Sequence, residues 1–122
     1  MSAVMQEPTE QFREPGTTTL SPNLFAEKLQ LDLNDLAATI GVHRNTMRLH
    51  PESAKTQEGL RGLMKVFIEL LHVKGDPTLV AFHLKNTPVR VLGGRTLLET
   101  VRDGDLEKAL RYIQSISSGQ NG

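Results

Sequence analysis

A chain of 122 residues with 38% hydrophobic and 23% charged content can bury one or two small cores, which predicts one compact unit with two lobes rather than two full-sized domains. It has no cysteine, which excludes disulfides, thiolate chemistry and cysteine-held metals and fits a reducing cytoplasm. Fourteen basic residues balance fourteen acidic ones, so no global field draws nucleic acid, and any DNA affinity has to come from a local basic face.

Residues 1–20, MSAVMQEPTEQFREPGTTTL, carry two prolines, a glycine and scattered glutamates without apolar periodicity, and are expected to form a flexible tail. They lack the charged-then-apolar order of a secretory signal. The apolar runs, such as VFI at 66–68, are far too short for a membrane span, so a cytoplasmic protein with no membrane contact is expected. Ser21 and Pro22 read as the cap and first turn of a helix over about 22–30, with Leu24, Phe25 and Leu29 at helical spacing. Asp32 then caps a second helix whose Leu33, Leu36, Ala37 and Ile40 form an i, i+3, i+4, i+7 stripe. Gly41 stops it, and a short third helix runs from His43 or Arg44 to about Leu49, ahead of Pro51.

The stretch TQEGLRGLMKVFIELLHV at 56–73 is apolar around more than one face, which predicts a helix buried on two sides, either between lobes or in a homodimer. Lys74 and Gly75 end it, and Asp76-Pro77 opens a helix over about 77–85. Val89, Val91 and Leu92 suggest a short extended piece before Gly93-Gly94, and Thr96 with Glu99 matches a capping box for LLETVR. Asp105 caps a final helix with Leu106, Ala109, Leu110, Ile113 and Ile116 on one stripe until Gly119. The expected fold is all-α: an N-terminal helix-turn-helix lobe over 21–74 and a small helical lobe over 75–122.

The stretch LAATIGVHRNTMRLH at 36–50 has the spacing of a helix-turn-helix. Close crossing of two helices asks for a small residue in the first, a residue tolerating positive φ in the turn and an apolar anchor in the second; Ala37, Gly41 and Met47 supply them. The second helix then displays His43, Arg44, Asn45, Thr46 and Arg48. Arginine can donate two hydrogen bonds to guanine and asparagine can pair with adenine, so Arg44, Asn45 and Arg48 are the candidates for base contacts. His50, Lys55, Arg61 and Lys65 are candidates for phosphates, against only Glu52 and Glu58 between 43 and 65. The plain alternative is a chance helical hairpin with a solvated basic face.

No catalytic site is visible. His43, His50, His72 and His83 show no metal-ligand pairing and read as surface or half-buried side chains. Ser115, Ser117 and Ser118 lack a nucleophile-elbow context, and Gly93-Gly94 lacks phosphate-loop spacing, so neither an enzyme nor a cofactor is expected.

The segment LGGRTLLETVRDGDLEKALRYIQSISSG at 92–119, preceded by FHLKNTP at 82–88 and following a helix-turn-helix, resembles the Xre/MbcA/ParS antitoxin family over roughly residues 23–119. It departs from that family in carrying Phe82 or His83 where a tryptophan is usual, and Arg95-Thr96 where a proline soon follows the glycine turn. The resemblance implies an antitoxin whose C-terminal domain covers the active-site entrance of a RES-fold, NAD-degrading toxin, and whose helix-turn-helix domain dimerises and binds its own promoter. The family's toxin-binding segment falls on Leu92, Gly93, Gly94, Leu97, Leu98, Gly104, Leu110, Ile113 and Gly119. Gly93, Gly94 and Gly104 also read as turn residues, and Leu97, Leu110 and Ile113 as core. Direct toxin contact is therefore expected of Arg95, Arg102, Arg111, Tyr112, Gln114 and Ser117, with Gly119 at the end of the helix. The other reading is a stand-alone dimeric helix-turn-helix transcription regulator.

Overall fold

The computed structural model describes residues 8–118, and the chain within them is all-helical. Seven α-helices follow in order: α1 Pro22–Leu29, α2 Leu33–Ile40, α3 Arg44–Leu49, α4 Ala54–Lys74, α5 Pro77–Asn86, α6 Leu97–Arg102 and α7 Leu106–Ser117. A 3₁₀ helix at Pro8–Phe12 and a 3₁₀ turn at Arg90–Leu92 complete the described elements.

Local chemistry sets most of the boundaries. The side chains of Ser21, Asp32, Ser53, Asp76 and Thr96 each accept a backbone N–H in the first turn of the helix that follows, and Thr96 with Glu99 closes a reciprocal capping box. Asp105 precedes α7 but makes no side-chain capping bond; its carboxylate is engaged by Arg95 instead. The extended piece expected at 89–92 is reduced to one isolated bridge between Val89 and Arg95, because the intervening residues close a 3₁₀ turn.

The core is organised around α4. Its Leu60, Leu63, Val66, Phe67 and Leu70 are buried, and the helix packs against α7, α5, α2 and the N-terminal 3₁₀ helix. One hydrophobic cluster runs from Phe12 to Ile113 and is continuous across Lys74 and Gly75. Two glycines let the neighbours come close: a Cβ on Gly59 would meet Ile40 Cβ at 2.8 Å, and one on Gly62 would meet Leu106 Cδ2 at 2.9 Å.

The flexible tail expected at 1–20 is corrected for residues 8–20; residues 1–7 lie outside the described residues. Phe12 is fully buried, with its ring centroid 4.3 Å from that of Phe25 and 5.2 Å from that of Phe67 in an edge-on pair. Gln57 supplies the backbone's partners: Leu20 N–H donates to its Oε1 at 2.9 Å, and its Nε2 donates to Leu20 O at 2.9 Å and Pro51 O at 2.7 Å. Buried Phe12 and Leu20 and one buried amide thus hold a segment that has no apolar period of its own.

Candidate functional site

The α2–α3 unit is built by its own sequence. Gly41 adopts φ 77°, and its N–H and that of Val42 return to carbonyls in the last turn of α2. His43 caps α3: its Nδ1 accepts from Asn45 N–H at 3.1 Å, which leaves Nε2–H as the outward donor of the neutral ring. Ala37 and Met47 are buried at the crossing, as the spacing predicts. Arg44, Asn45, Thr46 and Arg48 are all exposed on α3, and Lys55 is exposed in the first turn of α4, beyond the Pro51–Ser53 turn.

Two residues missed by sequence reasoning join this face. Asn34 on α2 lines an open concavity of about 490 Å³ with His43, Arg44 and Asn45. Leu49 is 61% exposed, an outward apolar group one turn after Asn45. Arg48 borders a small cleft with Glu14 of the N-terminal segment, and His50 lies 3.7 Å from Glu52, so two of the candidate cations have acidic neighbours. Arg61 and Lys65 are placed elsewhere. They line a groove on the outer face of α4 with Met64, Ile68, Glu69, His72 and Ser117, and Lys65 is about 15 Å along the helix axis from Lys55.

The residues expected to meet a toxin divide among three places. Arg95, Arg111 and Tyr112 line an open groove of about 720 Å³ with Val91, Leu92, Gly93, Lys108 and Ser115. Arg102 lies on α6 in a separate cleft, 3.9 Å from Asp35. Ser117 borders the α4 groove, Gln114 is exposed on α7, and Gly119 lies outside the described residues.

Arg95 needs correction, since it is not a free exposed cation. Its Nη1 donates to Asp103 at 3.0 Å and Asp105 at 2.9 Å, and its Nε donates to Leu92 O at 2.8 Å. The bonds to Asp105 and then Asp103 hold the guanidinium above its ordinary range, and the bond from Arg95 holds the Asp105 carboxyl below its own. Arg95 therefore clamps the 89–95 turn onto the α6–α7 junction. Of the residues on which the resemblance placed a toxin-binding segment, Leu92, Leu97, Leu98, Leu110 and Ile113 are buried, and Gly93, Gly94 and Gly104 occupy positive-φ turns.

His83 corrects the expectation of a surface or half-buried ring. It is buried on α5, and its Nε2 has no hydrogen-bond partner among the described residues. Among the described residues, no helix is long and apolar enough to cross a membrane, and no cluster of three or more His, Asp and Glu side chains is poised to hold a metal. Compared with known proteins, the chain matches no family model, no curated protein and no solved structure.

Proposed function

We propose that the protein is a cytoplasmic antitoxin of a type II toxin-antitoxin pair, which neutralises a RES-type NAD-degrading toxin and represses its own operon as a homodimer. The observation that carries this reading is the separation of two exposed surfaces on one continuous core: the short basic α3 and the groove beside α7. One chain can thereby hold DNA and a protein partner at once. On α3, Arg44 and Asn45 address base edges and Leu49 offers an apolar contact for a thymine methyl, while Asn34 of α2 and Lys55 of α4 address phosphates.

Co-expression with the adjacent gene product and purification through one tag tests the first half. A complex that restores growth and NAD levels is expected; a toxin that neither co-purifies nor is neutralised leaves the stand-alone regulator. For the second half, Arg44→Ala should lose about 1–3 kcal/mol at the promoter site, while Lys55→Ala should weaken all DNA evenly and lessen the salt dependence. Equal losses on promoter and random DNA for Arg44→Ala would count against base reading, and a wild type silent on the promoter at low salt removes the DNA role.

A further inference from the structure

We propose that the groove beside α7 takes an acidic peptide segment with an apolar side chain, presented by the partner protein. The inference rests on the partner-binding reading above and specifies what the partner must offer.

The lining carries the argument. Every charged residue that lines the groove is cationic: Arg95, Lys108 and Arg111. Asp103 and Asp105 engage Arg95 but do not line it. Among the described residues, Lys108 and Arg111 form no ion pair, even though Glu107 stands one helical turn before Arg111. Arg111 is therefore available to an incoming carboxylate, and Lys108, which also acts on the Asp105 carboxylate from a distance, lines the same groove. The groove on α4 differs, because Glu69 lies among its cations.

The apolar half is equally specific. Val91 is 76% exposed, the most exposed of the large hydrophobic side chains among the described residues, and it stands on a turn that cannot easily retract. The Val89–Arg95 bridge closes that turn, and the Arg95 clamp ties it to the α6–α7 junction. Tyr112, half-buried against the core, lines the same groove. A held apolar projection and a phenol ring lining one groove, with two unpaired cations in the same lining, are preorganised for a side chain flanked by carboxylates. A bare polyphosphate chain would satisfy the cations and leave Val91 uncovered.

Tyr112 is the only tyrosine and the chain has no tryptophan, so its emission reports on this groove alone. The probe is a synthetic peptide of Asp, Glu, Leu and Phe, titrated into the full chain, with a control in which Asn and Gln replace the acids. The acidic peptide should change the emission saturably. The amide control, the double variant Lys108→Glu/Arg111→Glu and Val91→Ser should each bind about tenfold more weakly, with circular dichroism unchanged because all three residues are exposed. Unchanged emission, or equal binding of the amide control, overturns the proposal. So does a single-stranded oligonucleotide that saturates the signal at lower concentration than the peptide, which assigns the groove to nucleic acid. In co-expressing cells, the double variant should lose the toxin. A toxin retained undiminished defeats this inference and leaves the antitoxin reading standing, whereas peptide binding without any toxin partner does the reverse.

Discussion

His83 shows how a single buried ring gains a pH dependence. Burial, and then the nearby Lys74 ammonium, lower its pKa from the ordinary 6.5. As the pH falls below that value, the unfolded chain takes up the proton first, so the stability present above about pH 6.5 declines toward the lowered folded pKa. His83→Leu removes the titration and replaces an unpartnered polar atom by an apolar group, a change that can be neutral or stabilising. Melting temperatures measured at about pH 7.5 and about pH 5.5 should fall more for the wild type than for His83→Leu; parallel falls would show that other groups dominate. Nothing in the spacing of the four histidines distinguishes His83 from the exposed three, because its burial is decided by what α5 packs against.

Helix α4 raises a contest between propensity and sterics. Alanine in place of a mid-helix glycine gains about 1 kcal/mol from propensity. At Gly59 the new Cβ would meet both Ile40 Cβ and, at 3.0 Å, Ile40 O, which cannot move without shifting the end of α2. Overpacking of that kind costs about 1–3 kcal/mol, so Gly59→Ala should be destabilising on balance. At Gly62 the obstacle is the far end of the Leu106 side chain, which can rotate, so Gly62→Ala should be close to neutral. Urea titrations of the two variants check this, and a Gly59→Ala protein as stable as wild type would mean that α2 gives way. The helix itself was legible from its apolar content, and its two-sided burial was expected. Its neighbours were not, because the N-terminal segment that covers Phe67 has no pattern to announce it.

At the scale of the whole molecule, Leu60, Leu63, Val66, Phe67 and Leu70 of the α4 surplus are consumed within the chain, while Met64 and Ile68 line the groove on its outer face. Phe67, within that helix, is buried against Phe12. Phe67→Ala should therefore cost about 3–5 kcal/mol by opening a cavity, without addressing assembly. The proposed homodimer needs an exposed apolar face, and besides the α4 groove, Leu79 and Phe82, one turn apart on α5, are 53% and 62% exposed. Phe82→Glu should sediment as a monomer with its far-ultraviolet circular dichroism unchanged. If it sediments like wild type, the interface lies elsewhere; a monomeric wild type removes the homodimer altogether.

What the sequence determined by itself is local. Caps at Ser21, Asp32, Asp76 and Thr96, glycine stops at Gly41 and Gly75, and the Ala37, Gly41, Met47 spacing all act within one or two helical turns, so residue type and separation suffice to read them. The α3 candidates were legible for the same reason: a short helix anchored by one buried methionine must turn its other residues outward. The tertiary structure decided the rest. Gln57 reaches a backbone 37 residues away, Phe12 finds Phe25 and Phe67, and Arg95 turns from a candidate contact into a clamp between two carboxylates. It also separated Lys65 from Lys55 and gathered Val91, Lys108, Arg111 and Tyr112 into one groove. Contacts at such separations obey no spacing rule, because they depend on how the helices cross, and that is settled only when the whole apolar surface is buried at once.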